Sequence, residues 1–331
     1  MKPKELEKLL KVTIPAGFPV MVKGAPGVGK SDIIAQACEA SEAELIIEHP
    51  VVSDPTDFKG LPFAKNGTAD FLPFGSLRSI INAKQRTVYF LDDLGQAPPS
   101  VQAACMQLIL ARRINGHKVS DQVTFVAATN RHTDRAGVTG ILEPVKSRFT
   151  SIVELEPDME DWVAWALKAN VPTELIAFIR FRPNLLFDFQ PTNEMKNSPC
   201  PRTVVNVGRL MQSGIPSEIE YEVYSGSAGE GFAAELMAFL KIFRDLPNPD
   251  TVLMAPEKAK VPEDPATLYA ICGALSRRSS SQTIDRLIAY ANRLPAEFSV
   301  LMVRDSVQVD EDVVNNRSYI EWASAHSDVL I

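Results

Sequence analysis

Gly24-Ala25-Pro26-Gly27-Val28-Gly29-Lys30-Ser31 follows the apolar stretch Val20-Met21-Val22 and precedes Asp32-Ile33-Ile34-Ala35-Gln36-Ala37. The eight residues fit G-x-x-x-x-G-K-[ST] in a strand, loop and helix context, the pattern of a phosphate-binding loop. The glycines let successive backbone N–H groups wrap phosphates, Lys30 neutralises the β and γ oxygens, and the Ser31 hydroxyl is a Mg²⁺ ligand. The helix that follows points its positive end at the same phosphates. A nucleoside triphosphate is therefore the first ligand expected, held by residues 24–31. The loop alone does not separate an ATPase from a GTPase or a small-molecule kinase. No Asn-Lys-x-Asp base-reading motif occurs, which argues against GTP. Adenine is expected against the segment before the first strand, at Ile14-Pro15.

Outward from the loop, strand candidates alternate with helical patterns from about Val20 to Ile152, as in a parallel sheet covered by helices on both faces. The strands are Val20-Met21-Val22, Glu44 to Glu48, Thr87 to Leu91, Val123 to Ala127 and Ser151-Ile152-Val153. Val51 to Ile81, rich in Asp, Pro and Gly, contains a hairpin turn at Asn66-Gly67. A helix from about Ser100 to Arg113 leads to a second tight turn at Asn115-Gly116. Beyond Glu156 helical patterns take over: Asp158 to Ala169, Thr173 to Arg182, Arg202 to Gln212 and Glu230 to Arg244. A proline-rich linker at Leu246-Pro247-Asn248-Pro249-Asp250 precedes four more: Pro265 to Arg277, Ser281 to Arg293, Pro295 to Val303 and Asn315 to Ala325. The expected domains are an α/β nucleotide-binding unit at 1–156, a helical lid at 157–245 and a helical C-terminal extension at 246–331.

Thr87-Val88-Tyr89-Phe90-Leu91-Asp92-Asp93 is an apolar strand ending in two carboxylates, the pattern of a Walker B strand. Asp92 is the expected metal residue, together with Ser31. Asp93 is the expected water-activating acid, one methylene shorter than the glutamate usual in such ATPases, so a slow rate or a shifted water is expected. Gln122 to Asn130 is a further buried strand ending in Thr129-Asn130 at the edge where parallel sheets place ligands. Asn130 is placed to hold the nucleophilic water, although an Asn after a strand is also an ordinary turn former.

These motifs in order resemble the AAA+ ATPases, and further strings resemble the MoxR type. They are Asp54-Pro55-Thr56-Asp57-Phe58-Lys59-Gly60, Gly75-Ser76-Leu77, Leu142-Glu143-Pro144-Val145-Lys146-Ser147-Arg148-Phe149 and Ser198-Pro199-Cys200-Pro201-Arg202. The resemblance covers roughly residues 10 to 245 and departs from the family at Asp93 and at the extra residue Cys200. It implies a P-loop AAA+ core with a five-stranded parallel sheet and two hairpin insertions, then an all-helical lid. By the same resemblance Asn130 matches sensor 1, Arg148 the arginine finger reaching a neighbour's γ-phosphate, and Arg202 sensor 2. Arg131 and Arg135 are rival fingers. The implied activity is Mg²⁺-dependent ATP hydrolysis in a ring, taken as a hexamer, that remodels a partner, with a protein bearing a von Willebrand factor A domain as an implied associate. A DNA-directed motor or loader is the alternative, resting on Arg112, Arg113, His117 and Lys118, which are otherwise a solvated turn. Arg148 and a helical lid disfavour a monomeric nucleotide kinase.

The bulk numbers agree with a globular reading. The 331 residues exceed one ordinary α/β core, and 45% hydrophobic with 23% charged residues excludes large-scale disorder. A net charge of −7 argues against a generally basic nucleic-acid binder. Cys38, Cys105, Cys200 and Cys272 lie without paired metal-ligand spacing, so buried reduced thiols are expected rather than a zinc site. The N-terminal sequence lacks a signal-peptide pattern and eighteen apolar residues never run together, so a cytoplasmic protein without membrane contact is expected. Trp162 and Trp165 are expected in the lid core.

Overall fold

The computed structural model describes residues 1–65, 67–134, 140–192 and 194–326. The chain divides into two compact units, Met1–Asp158 and Met159–Ile331.

The first unit is built on five parallel strands: β1 (Val20–Gly24), β2 (Glu44–Glu48), β5 (Thr87–Leu91), β8 (Val123–Thr129) and β9 (Ser151–Leu155). Their order across the sheet is β2-β5-β8-β1-β9. β5 and β8 are buried at every position, which is why their sequences read as continuous apolar runs rather than alternating ones. Side chains still alternate between the two faces. Val88, Phe90, Val126 and Ala128 point to one, where helices Pro3–Thr13 and Lys30–Ala40 add Leu6, Leu10, Ile34 and Ala37. Tyr89, Leu91, Phe125 and Ala127 point to the other, against helices Gly75–Asn82 and Pro99–Ala111. Full burial of one such side chain contributes roughly 1.5–3 kcal/mol, so the sheet is pinned from both sides. Among the described residues no helix is long and apolar enough to cross a membrane.

Two antiparallel hairpins decorate this sheet. β3 (Leu61–Lys65) pairs with β4 (Thr68–Leu72), in register Lys65 with Thr68. Gly67 has a φ of 77°, and Asn66, the other half of the expected turn, lies outside the described residues. β6 (Arg113–Ile114) pairs with β7 (His117–Lys118) around Asn115 and Gly116, whose φ values of 46° and 85° are those of a tight hairpin turn. The helix expected to reach Arg113 ends at Ala111 instead, because Arg112 turns left-handed at φ 48° and spends its guanidinium on the carbonyls of Ser120 and Val123. The hairpins are tied together: Asn115 Nδ2 donates to the Lys59 carbonyl at 2.8 Å, and His117 Nε2 lies 2.9 Å from the Phe71 carbonyl.

The second unit is helical. One cluster gathers Leu175, Phe178, Val204, Val207, Phe232 and Leu236, and a second gathers Ile271, Leu275, Leu287, Met302 and Trp322. The expected lid from residue 159 to 245 and the expected extension at 246–331 fall in this one unit, and residues 157 and 158 belong to the first. The expected linker is itself packed: Leu246 touches both clusters, and Asn248 caps helix Pro249–Met254 by accepting from Asp250 N. The shared core also holds an ion pair, Arg180 with Asp305, at 3% and 1% side-chain exposure. Burial works against the Arg180 charge, but hydrogen bonds and attraction from Asp305 outweigh it and hold the guanidinium pKa above its usual value. Removing one partner strands a buried charge, so Asp305→Ala is expected to destabilise this unit by about 3–5 kcal/mol. A denaturant midpoint equal to that of the parent protein contradicts this. Trp162 is core, as expected, whereas Trp165 is 36% exposed, because it falls on the outward side of helix Met159–Lys168.

Candidate active site

The carboxyl ends of β1, β5 and β8 are neighbours in the sheet, with Lys23 opposite Thr129 and Leu91 opposite Ala127. This placement brings together the phosphate loop after β1, Asp92 and Asp93 after β5, and Asn130 after β8. Parallel sheets collect ligands at such an edge. Two glycines of the loop have specific steric reasons. Gly29, the residue before helix Lys30–Ala40, sits at φ 101°, and a Cβ on Gly24 would lie 2.9 Å from the Leu155 carbonyl oxygen.

Lys30 is the centre of the site at 7% exposure. Its ammonium donates to the carbonyls of Gly24 and Ala25, both at 3.0 Å, and to Asn130 Oδ1 at 2.8 Å. The amide of Asn130 continues the chain, donating from Nδ2 to Asp93 Oδ1 at 3.1 Å. Beside it Ser31 Oγ donates to Asp92 Oδ2 at 2.8 Å, and the Asp93 N–H donates to Asp92 Oδ1 at 3.0 Å. Asp93 has a left-handed backbone, φ 55° and ψ 33°, a region aspartate tolerates better than most residues. The five polar side chains form a lysine–asparagine–aspartate triad and a serine–aspartate pair.

The serine hydroxyl and the Asp92 carboxylate are hard oxygen donors side by side, a donor set that fits Mg²⁺, which takes one or two protein oxygens and completes its shell with water and phosphate. Among the described residues there is no group of three or more His, Cys, Asp or Glu that could form an all-protein cage.

The arginine candidates fall into three situations. Arg131 is spent internally: its guanidinium holds both oxygens of Asp134 and reaches Glu154 at 3.5 Å, and the Asp134 hydrogen bonds raise its pKa above the usual value. Arg148 follows helix Glu143–Lys146 and is flanked by buried Val145 and Phe149, which fix its backbone. Its guanidinium donates to Ser147 Oγ at 2.9 Å, its Nε is buried with no hydrogen-bond partner, and no carboxylate pairs with it among the described residues. Arg135 lies outside the described residues. Arg202 belongs to the second unit, exposed in the first turn of helix Pro201–Gln212, whose N-cap is Cys200.

The expected basic patch is largely used up. Arg112 is half-buried and spends its guanidinium on two carbonyls, His117 meets Phe71, and Lys118 pairs with Asp121 at 2.7 Å. Only Arg113 of the four lacks a polar partner among the described residues. Ile14, expected near adenine, is 1% exposed within the core, and its carbonyl accepts from Thr124 Oγ1. All four cysteines are buried and free. Sequence reading overlooked Gln102, fully buried and hydrogen-bonded to Ala97, Gly140 and Leu142. The signal was a glutamine at i, i+3, i+7 spacing with the apolar Cys105 and Ile109 on the same face of its helix.

Residues 19–149 match the AAA domain, dynein-related subfamily. No curated protein matches the chain. Among solved structures, the RuvB Holliday junction branch migration motor of Thermotoga maritima is 15% identical over 91% of this chain and 86% of that one, with a TM-score of 0.41. NtrX from Brucella abortus in complex with ATP is 13% identical over 92% of this chain and 60% of NtrX, with a TM-score of 0.42. The AAA-domain match makes the chain an ATP hydrolase, and the loop after β1, the serine–aspartate pair and the second acid bridged to Lys30 all lie within the matched segment.

Proposed function

We propose that the chain is a Mg²⁺-dependent ATPase of the MoxR type, assembled as a ring of six, that spends hydrolysis on remodelling a partner protein. The observation that carries the ring is Arg148: a guanidinium on a fixed backbone, without a carboxylate, while its described rival Arg131 is held by Asp134 and Glu154. An arginine with no carboxylate partner among the described residues of its own subunit is suited to the γ-phosphate of a neighbour, where its charge stabilises the transferring phosphoryl group.

Within one subunit Lys30 holds the β and γ oxygens, and the N–H groups of the loop fix the phosphate chain. Ser31 and Asp92 are the residues that would hold Mg²⁺, whose chemistry is to neutralise charge on the β and γ oxygens. Asp93 orients the attacking water and accepts its proton as the new oxygen–phosphorus bond forms and the β–γ bridge breaks, the leaving electrons passing to ADP. Asn130 touches both the lysine and this aspartate, so it aligns the water with the phosphate. The lid role of residues 157–245, the sensor role of Arg202 and the partner bearing a von Willebrand factor A domain are parts of the same proposal, supported by the motif resemblance.

Asp93→Asn tests this reading. The substitution keeps the left-handed backbone accessible and leaves Asp92 in place, so ATP binding is expected to persist while turnover stops. The trapped ATP form is expected to run as a hexamer in mass measurements and to retain its protein partner. Undiminished turnover removes Asp93 from the chemistry, and a monomer under every nucleotide condition removes the ring.

A further inference from the structure

Gln102 is 0% exposed and satisfies polar groups on two separate segments. Its Nε2 donates to the Ala97 carbonyl at 3.1 Å and to the Gly140 carbonyl at 2.9 Å, while its Oε1 accepts from the Leu142 N–H at 3.0 Å. The Ala97 side leads to the acid: Ala97 closes the short turn Leu94–Gln96, whose residue Gln96 donates to the Asp93 carbonyl at 2.9 Å. The Leu142 side leads to the arginine. Leu142 is the N-cap of helix Glu143–Lys146, its carbonyl accepts from Val145 N at 2.8 Å, and the Val145 carbonyl accepts from Arg148 N at 3.1 Å.

We infer that Gln102 is a positioning residue for Arg148, fixing the helix that presents this arginine to the neighbouring subunit. The inference rests on the reading of Arg148 as a finger acting in trans. The chemistry requires glutamine, since glutamate has no donor and asparagine is too short to span both segments. The two ends depend on it unequally. The turn at Asp93 is held by its own backbone bonds, Gln96 N to Asp93 O and Ala97 N to Leu94 O at 3.2 Å, so it survives loss of the side chain. The start of the Arg148 helix has Gln102 as the acceptor for Leu142 N and a donor for Gly140 O. An error of about 1 Å in a group aimed at reacting atoms costs roughly 10²-fold in rate.

The test uses full-length chains in mixtures. Arg148→Ala subunits keep an intact phosphate loop and Lys30→Ala subunits keep an intact finger, so a mixed ring contains working interfaces. Gln102→Met, close to isosteric and without donor or acceptor N–H and C=O groups, is then added to one parent at a time. In the Lys30→Ala parent, which supplies the finger, it is expected to lower the recovered ATPase activity by about 10–10²-fold. In the Arg148→Ala parent, which supplies the site, activity is expected to stay near that of the unmodified mixture, with ATP affinity retained by fluorescence titration. Equal loss in both parents, or lost ATP binding, makes Gln102 merely structural and overturns the inference, as does no loss in the finger-supplying parent. If the mixture without Gln102→Met recovers nothing, the failure belongs to the trans reading of Arg148 itself.

Discussion

Lys30→Ala is expected to abolish tight ATP binding. The ammonium is the one side-chain cation built into the phosphate cradle, already aligned by the carbonyls of Gly24 and Ala25. A hydrogen bond to a charged group contributes about 1.5–3 kcal/mol, so redirecting even one of the ammonium's three donors to a phosphate oxygen sets the loss of affinity at about 10–10²-fold. Loss of the ammonium also leaves Asn130 Oδ1 without its donor, so the amide that bridges to Asp93 is no longer held from the loop side. Titration with a fluorescent nucleotide decides the point, and an unchanged affinity contradicts the assignment of residues 24–31.

Arg148→Ala has the other large expected effect, on rate rather than affinity. Arginine fingers accelerate phosphoryl transfer by roughly 10³–10⁵-fold, so steady-state hydrolysis should drop by that order while each subunit still folds and binds ATP. The residue lies between buried Val145 and Phe149, and among the described residues its side chain has one polar contact, to Ser147, and no ion pair to lose. Arg131→Ala is the informative contrast. It breaks a contact to the buried Asp134 and should lower stability without the same selective loss of turnover.

What the sequence made legible is the part governed by local rules. Thr87–Leu91 reads as a strand because its residues are β-branched, aromatic or aliphatic, and Glu44–Glu48 because of its apolar centre Leu45-Ile46-Ile47. Residues 24–31 read as a phosphate loop because four fixed residue types at fixed spacing answer one chemical need. The Asn115-Gly116 turn read correctly for the same reason, since both positions take a positive φ. What was hidden depends on partners distant in sequence. Arg112 fits a helix C-terminus by propensity, and only the carbonyls of Ser120 and Val123 explain why it leaves the helix. Leu246 to Asp250 has a linker's composition, yet Leu246 packs into two clusters made by residues on both sides of it. Arg180 and Asp305 are 125 positions apart, and neither carries a local signal of its burial. Gln102 is invisible for a related reason: its worth lies in three backbone groups, two of them about 40 residues away.

Departures from the family pattern gain a physical content. Asp93, shorter than glutamate, occupies a left-handed position and receives the Asn130 amide. Cys200, inserted between Pro199 and Pro201, is the N-cap of helix Pro201–Gln212, where its own N–H donates to Thr203 Oγ1 at 2.9 Å.

If Arg148 completes the ATPase site of the neighbouring subunit, a mixture of Arg148→Ala with Lys30→Ala regains activity that neither variant has. Each variant alone is expected to be inactive. Mixed rings contain interfaces in which an intact phosphate loop from the first meets an intact arginine from the second, and ATPase activity should partly return with the mixing ratio. No recovery, with mass measurements establishing that mixed oligomers have formed, contradicts an arginine acting in trans.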